Sequence, residues 1–230
     1  MSKSREKVLN TLCLGYRIFG AMGWGELGDG HISARDPDQQ DCFWLLKYGV
    51  AFTRATVDDF ILLNQQGETV EGEGFANAPG FRIHMPILKA RSDINAAAHT
   101  HTPWGTPFSA EVRPVEPISQ ESCVFYHDCV IFDDEEVRIQ DVEAGERIAQ
   151  CLGRKNSIIL RNHGLLTAGE SIEGAVARFV MLERVAETHM KARNPKPLSA
   201  AAVRYAQTNL FGEQKQQAVF DYLVGHFALA

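Results

Sequence analysis

Three of the chain's eight histidines sit where they could share one ion. His99 and His101 lie one residue apart in "INAAAHTHTPWG", at the end of an apolar run. Residues i and i+2 of a strand point to the same face, so a strand here would project both imidazoles side by side. His163 lies in "ILRNHGLL", after a second apolar run (Ile158, Ile159, Leu160), and its neighbours Asn162 and Gly164 are turn formers. Three neutral imidazoles hold zinc, iron(II) or another first-row ion and leave a position open. A substrate oxygen can occupy that position. The same spacing also suits a surface pair of histidines with no metal, and the residues alone leave both readings open.

The remaining histidines give weaker signals. His31 follows "GWGELGDG", whose Gly23, Gly25, Gly28 and Gly30 make a loop that can approach a ligand closely. It can contact substrate or brace the loop. His84, between Ile83 and Met85, reads as a packed helix histidine. His189 falls near the end of a long helix, where a cation complements the helix dipole. His127 and His226 suggest no role.

These residues need elements to place them. "SREKVLNTLCLGYRIFGAMG" has a helical apolar stripe. "HISARD" and "CFWLLKYG" read as paired strands, and "DFILLNQQGETVEG" as a hairpin turning at Gly67. "NAPGFRIHMPILKARSD" predicts a helix capped near Asn77 or Ala78, with Pro79 in its first turn. Pro86 within it predicts a kink or a second helical piece. "INAAAHTH" and "SIILRNHG" predict buried strands, and "DVEAGERIAQCLGRK" an amphipathic helix. The longest helix is "SIEGAVARFVMLERVAETHMKAR", capped by Ser171. Strands joined by hairpins and covered by helices imply a mixed or antiparallel sheet rather than a parallel one.

Composition narrows the class. The 230 residues are 45% hydrophobic and 23% charged, with a net charge of −6, which argues against a broad basic face for nucleic acid. No apolar run approaches the roughly 20 residues of a spanning helix, and the polar start "MSKSREKVLN" lacks a signal-peptide core. Five scattered cysteines without a C-x-x-C pair read as reduced thiols, so a cytoplasmic location is expected. Residues 1–193 read as one metal-binding domain. Residues 194–230, after the shift at "ARNPKPLSAAAVRYAQ", read as a C-terminal extension packing on the same or a neighbouring subunit.

The ordered segments "GDGHISARDP", "YGVAFTRATVDDFILLNQQGETVEG", "FRIHMPILKARSDINAAAHTHTPWG" and "ILRNHGLLTAGESIEGAVARFVMLERVAE" together resemble the class II aldolase/adducin family, from about Val8 to Lys191. The resemblance implies an α/β fold: a three-layer α/β/α domain with a largely antiparallel central sheet, assembled as a tetramer with sites between subunits. It implies that His99, His101 and His163 bind one divalent ion, zinc first, with iron(II) or manganese as alternatives. It also implies a small-molecule substrate held by Gly28, Gly30, His31, Tyr48, Gly49, Gly80 and Asn162.

One departure bears on the reaction. Sugar-phosphate aldolases of this family carry an acidic residue at the position that matches Gly80, a small hydroxyl residue where Pro79 stands, and tend to have asparagine where His31 stands. Without that acid, a decarboxylation or related carbon–carbon lyase step on an oxo, hydroxy or phenolic acid fits better, through a metal-stabilised enolate. His31, Tyr126 or Tyr222 is then expected to assist catalysis, with Tyr222 reaching a neighbouring subunit's site. The alternatives are a non-haem iron(II) oxygenase on an aromatic or 2-oxo acid, with Trp24, Trp104, Phe81 and Phe125 lining its pocket, and a non-catalytic protein like an adducin head.

Overall fold

Several predicted strands are apolar at every position, as "FWLL", "FILL" and "SIIL" show. Such runs belong to strands buried on both faces. The computed structural model describes residues 2–25, 27–135 and 139–229 and shows the sheet that buries them. Its strands are β1 (Gly30–Arg35), β2 (Phe43–Leu46), β3 (Phe60–Leu63), β4 (Thr69–Glu71), β5 (Ala96–Thr100), β6 (Cys129–Phe132), β7 (Ser157–Leu160) and β8 (Gly164–Gly169). They lie in the order β4-β3-β2-β1-β5-β8-β7-β6. Neighbours run antiparallel, except the parallel pair β6 and β7.

Because side chains alternate along a strand, each run feeds two cores. Trp44, Leu46, Phe60, Leu62, Ala96 and Ala98 enter one; Phe43, Leu45, Ile61, Leu63, Ile158 and Leu160 enter the other. The helices are α1 (Lys3–Ala21), α2 (Ala78–Ala90), α3 (Gly105–Ala110), α4 (Ser122–Phe125), α5 (Val142–Leu152), α6 (Ile172–Lys191), α7 (Ala200–Leu210) and α8 (Glu213–His226). Buried residues of α1, α6 and α8 fill the first core, and those of α2 and α5 the second. The expected three layers and largely antiparallel sheet are therefore present. In the C-terminal stretch, α8 packs on α6 and α1 of its own chain, and α7 on α4.

The cap on α2 is Asn77, whose side chain accepts from the Gly80 N–H, and Ser171 caps α6 by accepting from the Gly174 N–H. Of the two outcomes expected at Pro86, a second helical piece is not formed: the helix runs through Pro86 to Ala90. Pro86 offers no N–H to the Arg82 carbonyl one turn earlier. That carbonyl instead meets α5 at Gly145, where a Cβ would lie only 1.8 Å from the oxygen. His189 also differs from expectation. It is buried, its Nδ1–H donates to the Val185 carbonyl, and its Nε2 accepts from the Glu116 N–H. An imidazole that accepts at one nitrogen is neutral, and burial holds its pKa below the ordinary value. It braces the 113–116 segment rather than complementing the helix dipole.

Candidate metal centre

The site forms at the end of the central strand. His99 is on β5, paired with His31 of β1 on one side and Leu166 of β8 on the other. β5 ends at Thr100, so His101 lies one residue past the strand rather than within it. It still faces His99, with ring centroids 5.5 Å apart. His163 arrives on the turn between β7 and β8. Asn162 makes that turn with φ 54°, a left-handed conformation that asparagine tolerates better than most residues. The His163 ring lies 4.8 Å from that of His99 and 5.0 Å from that of His101.

One nitrogen from each ring lies within 4.8 Å of the others. Any triangle with sides of that length has a point within about 2.8 Å of all three corners. Shifts of under about 1 Å would bring each to the roughly 2.0–2.1 Å of a zinc–imidazole bond. The surroundings suit such a role. The His99 Nδ1–H donates to the Leu165 carbonyl at 2.7 Å, leaving Nε2 for an ion. His101 Nδ1 lies 3.4 Å from the Asp29 carboxylate. Outer contacts of this kind fix tautomer and orientation in metal sites. Burial first, then the neighbouring imidazoles, push the His99 pKa well below its ordinary value, and the same causes lower His163 to about 4. Both are therefore neutral at physiological pH, the form that binds a metal.

Glu183 of α6 holds the chain that follows His101. It accepts from the Thr102 hydroxyl at 2.5 Å and from the backbone N–H groups of Trp104 and Gly105 at 2.9 and 2.7 Å. Burial raises its pKa, against the effect of these hydrogen bonds.

The three imidazoles open on a cavity of about 730 Å³. Its described lining also includes Gly28, Asp29, Gly30, His31, Tyr48, Phe75, Ala76, Asn77, Ala78, Pro79, Thr106, Ile139 and Asn162. None of these is a lysine or arginine.

The class II aldolase and adducin N-terminal domain matches residues 10–190. The chain is 34% identical to the decarboxylase NovR of Streptomyces niveus over 82% of its own length and 72% of that protein's. It is 33% identical to the 4-hydroxy-3-prenylphenylpyruvate oxygenase/4-hydroxy-3-prenylbenzoate synthase of Streptomyces roseochromogenus subsp. oscitans, covering 82% and 70%. The solved structure of an L-fuculose 1-phosphate aldolase from Glaciozyma antarctica PI12 superposes with a TM-score of 0.88 at 33% identity, covering 97% and 91%.

The chain belongs to the class II aldolase and adducin family.

Of the substrate contacts expected from that family, Gly28, Gly30, His31, Tyr48 and Asn162 line the cavity, whereas Gly49 and Gly80 do not. Gly49 borders a separate groove with Leu27 and Val50. Gly80 is covered by His31: a Cβ at position 80 would lie 2.9 Å from Cγ and 3.1 Å from Cβ of that histidine. The His31 ring thus fills the space a side chain at position 80 would enter. Gly30 also lacks a side chain for a packing reason, since a Cβ there would lie 2.4 Å from the Thr100 hydroxyl.

Neither tyrosine lines the cavity of its own chain. Tyr126 is half-buried after α4, its ring tilted against that of His127, and its carbonyl accepts from Gln207. Tyr222 is exposed on α8, beside a groove lined by Trp104 and Lys215. The expected aromatic pocket is not formed by the four residues named for it. Trp24 and Phe125 belong to the first core, Trp104 packs against it, and Phe81 stacks on Phe43. The aromatic residues at the cavity are Tyr48 and Phe75.

His84 is the packed helix histidine expected, but its contacts with His31 and Ser33 were not anticipated. His84 Nε2 lies 2.9 Å from His31 Nδ1, and its Nδ1 lies 2.7 Å from the Ser33 hydroxyl. The signal available in sequence was that His31 and Ser33 alternate onto one face of β1, the face that α2 covers.

Proposed function

We propose that this protein is a metal-dependent carbon–carbon lyase of the decarboxylase type, acting on a small, non-phosphorylated oxo, hydroxy or phenolic carboxylic acid. His99, His101 and His163 are its metal ligands. The observation that carries the reading is the cluster of three imidazoles opening on a cavity with no described lysine or arginine, beside a position 80 that has no carboxylate. A divalent ion held there supplies a Lewis acid for the oxygens of a carbonyl acid.

The chain's own groups favour a carboxylate or carbonyl over a phosphate. Of the first N–H groups of α2, Pro79 has none and that of Gly80 is taken by Asn77. The helix terminus at the cavity is therefore poorly equipped as a phosphate cradle. Loss of carbon dioxide requires no base to remove a proton; a single later protonation completes it. His31, Gly28, Gly30, Tyr48 and Asn162 contact the substrate. In a cytoplasmic homotetramer, Tyr222 of another copy is the group placed to deliver that proton. Tyr126 does not line the cavity of its own chain.

A second reading has support of its own. One relative is named an oxygenase, and three imidazoles around iron(II) leave positions for substrate and oxygen. Aldol cleavage of a sugar phosphate is supported by the name of the fuculose-phosphate aldolase structure and opposed by Gly80 and a cavity with no described lysine or arginine to meet a phosphate. A substrate panel run under nitrogen and under air, with zinc-loaded and iron(II)-loaded protein, separates the three. Decarboxylation proceeds under nitrogen, oxygenation consumes oxygen, and robust fuculose 1-phosphate cleavage overturns both.

A further inference from the structure

His31 is the cavity residue whose surroundings are least ordinary. It is buried to 3% exposure, lies across the strand pair from His99, and touches a second buried histidine that in turn touches a buried serine. Both contacts join the same two elements: Ser33 and His31 are on β1, and His84 is on α2.

The direction of this chain follows from counting protons. The Ser33 hydroxyl is fully buried, and its one described partner is His84 Nδ1 at 2.7 Å. A hydroxyl carries one hydrogen. If His84 donated to Ser33, that hydrogen would be left in the interior without an acceptor, which buried polar groups avoid. Ser33 therefore donates to His84 Nδ1. A neutral His84 then carries its proton on Nε2 and donates to His31 Nδ1 at 2.9 Å. With Nδ1 accepting, a neutral His31 carries its proton on Nε2, the nitrogen left for the cavity that His31 lines.

We propose that Ser33, His84 and His31 form a one-way hydrogen-bond chain that presents a fixed N–H donor from His31 Nε2 to an oxygen of the bound carbonyl acid. This rests on the functional reading above and assigns positioning roles to His84 and Ser33. A neutral donor in a dry pocket, aimed before the reaction begins, is suited to an oxygen that gains negative charge as a carbon–carbon bond breaks. With the carboxylate β to that carbonyl, the electron pair of the breaking bond moves through the carbon between them to the carbonyl oxygen as carbon dioxide leaves, and no proton leaves His31. Gly80 belongs to the same device, because any larger residue there would displace the donor ring.

The test is a two-bond proton–nitrogen correlation spectrum of the full-length protein labelled with ¹⁵N-histidine, at neutral pH, for wild type and Ser33→Ala. The expected wild-type result is the Nε2–H tautomer for both His31 and His84. Loss of the serine proton should convert these signals to a tautomer mixture. An Nδ1–H tautomer or a charged ring at His31 in wild type, or unchanged tautomers in Ser33→Ala, would overturn the proposal. Calorimetry with oxalate on the zinc-loaded proteins gives a second readout: Ser33→Ala should bind oxalate about tenfold more weakly while holding the same amount of zinc. Equal oxalate affinity overturns the donor role. A wild-type protein with both Nε2–H tautomers that binds no zinc would overturn the metal reading and leave the hydrogen-bond chain standing.

Discussion

Gly80 and His31 act as a pair, because one occupies the space the other would need. Gly80→Ala should therefore cost stability despite alanine's better helix propensity. Overpacking typically costs about 1–3 kcal/mol, more than the roughly 0.5–1 kcal/mol alanine gains over glycine in a helix. Thermal melts of the variant should shift down, and an upward shift would show that the ring yields freely. For the same reason Gly80→Glu alone should gain no fuculose 1-phosphate cleavage, whereas pairing it with His31→Asn removes the collision. His99→Ala should lose most bound zinc, read by elemental analysis of the purified protein. The three clustered histidines were legible in sequence because two share a strand end and the third follows a strand of the same sheet. The link from Ser33 to His84 was not legible. It spans 51 residues and depends on which face of β1 the helix α2 covers, a packing fact that periodicity along either segment does not contain. Gly80 read as a missing acid, and only the packing shows the ring that takes its place.

At the scale of elements, α6 restrains the metal-centre loop through Glu183. Both oxygens of that carboxylate accept, one from Trp104 and the other from Thr102 and Gly105. Glu183→Gln must set an NH₂ group against at least one of these donors. It should destabilise the protein by about 1–3 kcal/mol and weaken zinc binding by loosening His101. Urea titration and a zinc competition assay check the two effects, and unchanged values for both would remove the clamp from the account. The elements themselves were largely legible, from the Asn77 and Ser171 caps, the all-apolar strands and the Gly67 hairpin. The second helical piece allowed for at Pro86 does not form, because its missing N–H is accommodated by contact with α5 at Gly145, which lies 59 residues further on. His189 was misread because its neutrality is set by the Glu116 backbone, far from its own helix.

For the whole molecule, the buried histidines set an acid limit. His31, His84, His99, His163 and His189 all have pKa values lowered chiefly by burial, with His84 near 3 and His163 near 4. Below the ordinary imidazole value of about 6.5, the unfolded chain binds protons that the folded chain does not. Stability should fall as pH drops from there toward about 3–4, and be flat with respect to these groups above it. Urea midpoints of the metal-free protein measured from pH 8 to pH 4 check this; a midpoint that rises on acidification would refute it. Assembly is the other expectation at this scale. Leu27, Tyr48 and Phe75 are large, apolar and exposed, and the latter two line the cavity. Light scattering should report a homotetramer, and Phe75→Asp should weaken it. The most direct test of the central claim is carbon dioxide release under nitrogen. The zinc-loaded protein would be given a panel of 3-oxo, hydroxy and phenolic acids labelled at the carboxyl carbon, with His99→Ala in parallel. Wild type should release labelled carbon dioxide and the variant at least about a hundredfold less, on the order of the loss of a catalytic group. Release only in air, or equal release by His99→Ala, would contradict it.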